Sequence, residues 1–236
     1  MTAQPARAAA APPPILLRET LPDGVAVLTL NRPGARNSLS EGLIAAIHAA
    51  LQQIHGDASV RALVFAANGP AFSAGHDMKE LTARRSDADR GRGYFAEIMN
   101  ACSAMMQAIV QLPKPVVAAV QGVATAAGCQ LVASCDLAIA SEAATFATPG
   151  VDIGLFCSTP MVALSRNVTR KQAMEMLLTG AIVSAENALA MGLVNAVVAP
   201  GTERDKALEF AVTIASKSSH VIGIGKAAFY RQVELP

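Results

Sequence analysis

The 236-residue sequence contains no tryptophan, and aromatic residues make up only 4% of it. So few aromatic side chains argue against a surface that binds nucleic acid by stacking on bases. Charged residues are also scarce, at 16%, and the formal net charge is +1. A protein that binds the phosphate backbone usually carries a marked excess of basic residues. The sequence therefore predicts no nucleic-acid partner.

A long, uninterrupted apolar run is also missing. The most apolar stretch, Pro115 to Ala140, is broken by glycine and by polar residues that include Gln121, Gln130 and Asp136. A membrane-spanning helix needs about 20 consecutive, mainly apolar residues, so no membrane partner is predicted. Hydrophobic residues nevertheless make up 52% of the chain, which is enough for a large buried core.

The cysteines form no C-x-x-C pair, and no histidine lies at the spacing of a shared metal site. Small buried thiols in a reducing compartment are the favoured interpretation, with no metal and no cofactor. The predicted location is cytoplasmic, or mitochondrial if the source is eukaryotic. The four positions are Cys102, Cys129, Cys135 and Cys157.

The first 14 residues are rich in alanine and proline and lack the apolar core of a secretory signal. A transit peptide is one alternative, because no acidic residue precedes Glu19. The run Pro12-Pro13-Pro14 and the absence of serine argue against it, so residues 1–14 are predicted to be a disordered tail. Residues 15–200 are predicted to form the core, and residues 201–236 a helical C-terminal region.

Strands and helices alternate along the first two thirds of the chain, which predicts an α/β fold with a mainly parallel sheet. The predicted strands are Gly24–Leu30, Arg61–Ala66, Val116–Val120, Leu137–Ala140 and Val194–Val198. The first predicted helix follows a capping box at Ser38–Glu41, and the second spans Tyr94–Leu112. A short third helix ends near Ser134. The remaining predicted helices are Thr169–Gly180, Ser184–Gly192 and, as the final one, Arg204–Ser216. The highly charged segment Arg84–Gly93 is predicted to be a mobile surface loop.

Two segments rich in small residues lie where a predicted strand meets a helix, at positions 71–80 and 120–130. Small side chains let a ligand approach the backbone, and free N–H groups at a helix start can stabilise negative charge. Two such turns facing one point would form an oxyanion hole. Ordinary tight turns packed on a sheet explain the same pattern, so spacing alone leaves both interpretations open.

Four ordered runs resemble the enoyl-CoA hydratase/isomerase (crotonase) superfamily over about Ile15 to Tyr230. They are LNRPGARNSLS, FSAGHDMKE, KPVVAAVQGVATAAGCQLVASCDLAIASEAATFATP and TGAIVSAENALAMGLVNAVV. The runs AGHD, GCQLVASCDLA and GLFCSTP further resemble its subgroup of enoyl-CoA hydratase domain-containing protein three. The resemblance implies a spiral of ββα units followed by a helical C-terminal part, here shorter than in the family. It also implies a homotrimer or hexamer, although the shorter C-terminal part leaves the oligomer open.

The resemblance implies an acyl-CoA substrate whose thioester oxygen binds two backbone N–H groups, at His76 and Ala127. It also implies loops that lie along coenzyme A, which comprise Ala35, Arg36, Ser38, Ala74, Asp77, Met78 and Lys79. The His76 side chain either lines the pocket or titrates near neutral pH.

The sequence departs from the family at the two glutamates that activate water, where Gln130 and Gly150 stand. An amide orients water but cannot accept its proton, and glycine offers no side chain. Asp152 could supply a carboxylate, although a structural role is favoured. The sequence therefore predicts an acyl-CoA enzyme of hydratase/isomerase type that lacks both glutamates. The alternative is a non-catalytic acyl-CoA-binding or regulatory protein.

Overall fold

Two sheets of mainly parallel strands carry the fold in the computed structural model, which describes residues 13–235. The strands within this range are β1 (Leu16–Thr20), β2 (Val25–Leu30), β3 (Ala62–Ala67), β4 (Ala71–Ser73), β5 (Val116–Val120), β6 (Val123–Thr125), β7 (Leu137–Ser141), β8 (Thr145–Ala147), β9 (Val183–Ser184) and β10 (Ala196–Val198). The α-helices within this range are α1 (Glu41–Gly56), α2 (Met78–Ala83), α3 (Arg92–Gln111), α4 (Ala127–Ser134), α5 (Pro160–Leu164), α6 (Arg170–Thr179), α7 (Ala185–Met191), α8 (Glu203–Ala215) and α9 (Ser219–Val233).

The chain passes repeatedly from one sheet to the other. The first sheet has the order β1-β2-β3-β5-β7-β10, and the second has the order β4-β6-β8-β9. Each of β3, β5 and β7 in the first sheet is followed at once by β4, β6 or β8 in the second, and helices complete each turn. All pairings are parallel except β1 with β2 and β8 with β9. The predicted α/β spiral of ββα units, with helices dominating the C-terminal part, is confirmed.

Alternating residues of the first sheet build two hydrophobic cores, because side chains of a strand point to opposite faces. Leu28 and Phe65 belong to the main core, which also contains the buried faces of α1, α3 and α4. Val27 and Val64 face the other way and pack under α8, whose small residues recur every fourth position as Ala207, Ala211 and Ala215. This spacing puts the three alanines on one helix face, so α8 lies close to the sheet.

Several predicted boundaries need correction. Ser38 does not cap α1, because the N-cap is Ser40, whose hydroxyl accepts from the Leu43 N–H at 3.2 Å. The segment predicted as a mobile loop contains a 3-10 turn, Arg84–Ser86, and its last two residues open α3. The helix predicted at Arg204–Ser216 corresponds to α8 and is not the final helix, because α9 follows it. The capped starts of α6 and α7 are confirmed, at Thr169 and Ser184.

A buried charge cluster ties α9 to the sheet. Lys226 Nζ lies 2.7 Å from Asp136 Oδ2, and the Tyr230 hydroxyl donates to Asp136 Oδ1 at 2.9 Å. The same carboxylate accepts the Val116 N–H at the start of β5. Burial lowers the pKa of Lys226, and Asp136 opposes that shift. The cluster therefore fixes α9 on the sheet, although no residue of α9 is fully buried.

Most of the predicted N-terminal tail, residues 1–12, lies outside the described part of the chain. Among residues 13–235, no helix has the length and apolar character needed to cross a membrane. Within the same range, no group of three or more His, Cys, Asp or Glu side chains is arranged to hold a metal ion.

Candidate active site

The first candidate donor, the N–H of His76, lies in the turn between β4 and α2. Leu39 flanks this turn: its N–H donates to the Gly75 carbonyl at 2.7 Å, and its carbonyl accepts the Asp77 N–H at 3.2 Å. Because the two neighbours of His76 make this parallel bridge, the N–H of His76 points to the opposite side. Within residues 13–235 this N–H donates no backbone hydrogen bond, so it is available to a ligand.

The second candidate donor, the N–H of Ala127, opens α4. The first N–H groups of a helix have no acceptor within it, and Ala127 is the first helical residue after Ala126. Ala126 has φ 51° and ψ −120°, a conformation that non-glycine residues rarely adopt. Its N–H donates to the Ala147 carbonyl at 2.9 Å, and its carbonyl accepts the Gln130 N–H at 3.0 Å. These two bonds hold the turn in its strained form.

The two turns face each other at close range. Gly75 has φ +84°, and a Cβ atom there would lie 2.9 Å from Ala126 Cβ and 3.2 Å from the Ala127 nitrogen. A Cβ on Gly128 would lie 2.1 Å from the Ser73 carbonyl oxygen, so the start of α4 is pressed directly against β4. Only glycine permits both approaches. The structure therefore brings His76 and Ala127 together, as an oxyanion hole requires.

Asp77 connects the two loops that are predicted to bind coenzyme A. Its carboxylate accepts from Arg32 Nη2 and from the Ser38 hydroxyl, each at 3.0 Å, and from the Lys79 N–H at 3.1 Å. Burial alone would raise the pKa of Asp77, but these three donors outweigh it and hold the pKa below its ordinary value. Asp77 is also the N-cap of α2. One ionised carboxylate thus fixes the position of both loops.

The remaining residues predicted to bind coenzyme A lie along the same two loops. The Ala74 N–H donates to the Arg36 carbonyl at 3.0 Å, which closes the loops on each other. Ala35, Arg36, Met78 and Lys79 are exposed. Exposed side chains on adjacent loops form a surface on which an extended ligand could lie.

The His76 side chain is partly buried, and within residues 13–235 its Nε2 atom has no hydrogen-bond partner. Burial lowers the pKa of His76, because the charged imidazolium loses hydration. The imidazole is therefore neutral at neutral pH. The interpretation of His76 as a group that titrates near neutrality is not favoured by this environment.

Gln130 lies one turn into α4 and is only 7% exposed. Within the described chain its Oε1 atom is buried and accepts no hydrogen bond. Because side chains of a helix lean toward its N-terminus, we expect the Gln130 amide to be directed back toward Ala127. It can orient a ligand or a water molecule there, but it cannot remove a proton.

Gly150, the second position at which the resemblance expects a glutamate, is closed off by the segment that follows it. A Cβ atom on Gly150 would lie 2.9 Å from Cys157 Sγ and 3.1 Å from the Leu155 carbonyl oxygen. The Gly150 N–H also lies 3.3 Å from Cys157 Sγ. Burial raises the pKa of Cys157 and raises that of the nearby Cys129 to about 12. Neutral thiols therefore line this side of the site.

Asp152 lies on the 3-10 turn after β8 and is exposed. Its carboxylate faces the end of α6, since a Cβ atom on Gly180 would lie 2.9 Å from Asp152 Oδ2. This contact fits the structural role favoured for Asp152, and a part in proton transfer stays an untested prediction.

The sequence assigned no part in the site to three of its buried residues, although Cys157 was predicted to be a buried thiol. Asn37 is fully buried, adopts φ 50°, and donates to the Asn68 and Ala71 carbonyls at 2.9 and 2.7 Å. Thr148 is fully buried, and no described residue is bonded to its hydroxyl. The sulfur atom of Cys157 lies in the space beside Gly150 that a side chain there would need. Asparagine tolerates a positive φ angle better than most residues, and only this property could have pointed to Asn37. Nothing in the sequence marks the place of the other two in the site.

Comparison with known proteins agrees with this architecture. The family described as "Enoyl-CoA hydratase/isomerase" matches residues 20–236. The chain belongs to this family. Its sequence is 46% identical to "Enoyl-CoA hydratase domain-containing protein 3, mitochondrial" of Rattus norvegicus over 211 residues, which cover 89% of this chain and 69% of the rat protein. The likeness to this subgroup of the crotonase superfamily is thereby confirmed.

Solved structures show the same hydratase/isomerase fold. The crystal structure of an enoyl-CoA hydratase from Mycobacterium smegmatis matches with a TM-score of 0.89 and 51% identity, covering 95% of this chain and 85% of that one. Human enoyl Coenzyme A hydratase domain-containing protein 3 matches with a TM-score of 0.88 and 44% identity, covering 94% and 86%. The chain is therefore an enoyl-CoA hydratase-like protein of the crotonase fold.

Proposed function

We propose that this chain binds acyl-CoA thioesters and stabilises negative charge on the thioester oxygen through the N–H groups of His76 and Ala127. The observation that carries the proposal is the close approach of the two turns, with both donors free of backbone acceptors among residues 13–235. Such donors act most strongly where charge develops in the transition state. Each is worth about 3 to 4 kcal/mol in other oxyanion holes.

We further propose that the chain is an enzyme of hydratase/isomerase type that does not use two glutamates to hydrate an enoyl thioester. Gln130 cannot accept a proton, and Gly150 has no side chain and lies directly against Cys157. General acid and base groups contribute about 10²–10⁴-fold to the rate of a reaction. Hydration of crotonyl-CoA should therefore be at least about 10²-fold slower than in a relative with both glutamates. Isomerisation of an enoyl thioester moves a proton between two carbons, and thioester hydrolysis removes a proton from the attacking water, so either reaction would need a proton acceptor other than residues 130 and 150.

A non-catalytic acyl-CoA-binding protein is the second candidate. It is favoured by the neutral character of the groups around the hole, namely Gln130, the imidazole of His76 and the thiol of Cys157. Such a site would bind a thioester firmly without turning it over. A regulatory role in lipid metabolism would require binding alone.

Calorimetric titration with butyryl-CoA, crotonyl-CoA and free coenzyme A tests the shared part of both candidates. We expect the two thioesters to bind more tightly than coenzyme A, because only they present a carbonyl oxygen to the hole. Turnover of a panel of enoyl-CoA and acyl-CoA esters then separates the candidates, since the enzyme predicts turnover above background and the binder predicts none. Failure of every thioester to bind would contradict both.

Assembly and location are proposals that rest on the family. Exposed apolar side chains lie just after the 3-10 turn Pro149–Ile153 and at the end of α6 and just beyond it, where Phe156 is 43%, Leu178 58% and Ile182 75% exposed. Clusters of this kind often mark protein interfaces, which supports a homotrimer or hexamer. Light scattering of the purified chain tests this. The relatives' name includes "mitochondrial", which supports that location if the source is eukaryotic.

A further inference from the structure

A cavity of about 520 Å³ lies on the face of the first sheet that packs under α8, and it shares no lining residue with the candidate active site. The strand register places its floor residues on the same face as Val27; they are Leu17, Thr29, Ala66 and Ala119. The alanines are too short to fill the space beside the first turn of α8, which forms one wall. Sites for small molecules have volumes of about 300–1,000 Å³, so this cavity is large enough for a ligand.

Glu203 brings a carboxylate without a cationic partner to this cavity. It is the first residue of α8, lines the cavity and is only 7% exposed. Within residues 13–235 its carboxylate accepts one hydrogen bond, from the Gly201 N–H to Oε2 at 2.9 Å, and pairs with no lysine or arginine. A buried carboxylate is costly unless a cation or further donors replace its lost hydration. The positive end of the α8 dipole offsets part of that cost but leaves Oε1 without a donor.

The other charged side chains along the cavity already have partners. Arg204 forms an ion pair with Glu19. The Arg18 guanidinium turns to the opposite face of the sheet, where its Nη2 atom lies 3.1 Å from Asp57 Oδ2 at the end of α1. The charge left unbalanced in the cavity is therefore the negative charge of Glu203.

Gln121 adds a second hydrogen-bond acceptor to the wall of the cavity. Its Nε2 atom donates to the Gly69 carbonyl at 3.1 Å, which fixes the orientation of the amide. Its Oε1 atom is buried, and no residue in the described range donates to it. Glu203 and Gln121 therefore share one requirement, which is a ligand that donates hydrogen bonds.

The chemistry of the walls and floor specifies the class of ligand. A primary ammonium group carries the charge opposite to that of Glu203 and has three N–H donors. An aliphatic chain attached to it would lie on the apolar floor at Leu17, Ala66 and Ala119. None of the described residues along the cavity is aromatic, which disfavours a ligand that binds by stacking.

We propose that this cavity is a second ligand site that binds a primary aliphatic amine, with the ammonium group held by Glu203 and Gln121. The site lies on the opposite face of the first sheet from the main core, on which the two turns with the candidate donors pack. It is separate from the proposed thioester site and does not depend on the proposed function.

Calorimetric titration of the full chain with hexylamine, 1-hexanol and hexyltrimethylammonium tests the proposal. Hexanol lacks the positive charge, and the quaternary ammonium keeps the charge but has no N–H donor. We expect hexylamine to bind at one site at least about tenfold more tightly than either control ligand. Equal affinity for the three compounds, or no saturable binding of hexylamine, would overturn the proposal.

Variants locate the bound amine. Glu203→Gln keeps an acceptor for the Gly201 N–H but removes the charge, so hexylamine should bind at least about tenfold more weakly. Glu209→Gln is the matched control on the exposed side of α8, where the carboxylate pairs with Lys206, and it should leave the affinity unchanged. Ala66→Val narrows the cavity at its floor and should weaken binding with Glu203 intact.

Thermal melting shows whether each variant folds, and the floor variant keeps the test decisive if Glu203→Gln does not. Hexylamine binding that survives the folded pocket variants would place the amine elsewhere and contradict the proposal. Equal loss of binding in the Glu209→Gln control would mean that overall charge, and not the cavity, attracts the amine, which would also contradict it.

Discussion

The two sides of the candidate site differ in what holds them in place. On the side proposed to form the oxyanion hole, called the oxyanion side below, backbone groups are fixed by close glycine contacts, by the strained turn at Ala126 and by the carboxylate of Asp77. On the opposite side, Gln130 and Gly150 are neutral, and a cysteine fills the space beside the glycine. The part of the site that is proposed to stabilise charge is therefore built into the fold, whereas the opposite part consists of side chains that can change without altering the fold.

The largest effect is expected at Gly128, where the oxyanion side meets β4. A Cβ atom there would lie 2.1 Å from the Ser73 carbonyl oxygen, a backbone atom that cannot move aside. We expect Gly128→Ala to destabilise the protein by about 3 kcal/mol or more, measured by urea denaturation. Gly225→Ala is the matched control in α9, where nothing lies within 4 Å. Equal stability of both variants would show that the contact at Gly128 is not tight.

A smaller loss is expected when the carboxylate that joins the two loops is neutralised. Asp77→Asn removes the charge that accepts from Arg32 and Ser38, so we expect a loss of about 2 kcal/mol at pH 6. Asp87→Asn, in the exposed pair with Arg84 at 4.0 Å, is the control and should change stability by less than about 0.5 kcal/mol.

The same variant has a pH signature. The folded state lowers the pKa of Asp77 below its ordinary value of 3.8, so folding favours the ionised form. Its stabilising contribution is complete above that ordinary value and is lost as the pH falls through the folded pKa. The stability difference between the wild type and Asp77→Asn should therefore shrink between pH 5 and strongly acidic pH. A difference that grows on acidification would contradict the assignment.

On the opposite side of the site, Gly150→Ala should cost about 1–3 kcal/mol, because its Cβ atom would press on Cys157 and Leu155. Cys157→Ala removes the sulfur atom that causes the nearest contact. The double variant should therefore be more stable than the sum of the single effects by about 1 kcal/mol. Strict additivity in denaturation experiments would mean that Cys157 does not occupy this space.

The smallest effect is expected at Ala126, with the opposite sign. Glycine adopts φ 51° without the steric cost that alanine bears. Ala126→Gly should therefore leave stability unchanged or raise it by up to about 1 kcal/mol. Ala124→Gly in β6, where φ is not positive, should lower it by about 1 kcal/mol. Destabilisation of both variants by the same amount would show that the turn is unstrained.

Sequence patterns identified the long helices and strands and the turns rich in small residues. They did not identify the short strands and the long-range contacts that connect these elements. Apolar patterns located α1, α3 and the strands of the first sheet except β1, which was not predicted. The three-residue strands β4, β6 and β8 are too short for a periodic signal, so the second sheet was not anticipated from pattern alone. Ser38 was assigned to a helix cap because its spacing to Glu41 fits one; its hydroxyl instead donates to Asp77, 39 positions away.

The residues of the candidate site likewise divide into those that sequence motifs predicted and those that they did not. His76, Ala127 and the coenzyme A loops were predicted because contiguous motifs carry them. The places of Thr148 and Cys157 in the site were missed, although Cys157 was predicted to be buried, because segments that meet only in three dimensions create their environment. The space beside Gly150 could not be foreseen from the glycine itself, since the atoms that fill it belong to residues 155 and 157.

The proposed function depends on hydrogen bonds from the N–H groups of His76 and Ala127 to the thioester oxygen. Isotope-edited infrared spectroscopy of bound butyryl-CoA, labelled with ¹³C at the thioester carbonyl, tests it most directly, because two hydrogen bonds polarise and weaken that C=O bond. We expect the carbonyl stretch to lie at lower frequency in the complex than in water. A ligand that is bound with its carbonyl stretch unshifted, or shifted to higher frequency, would contradict it.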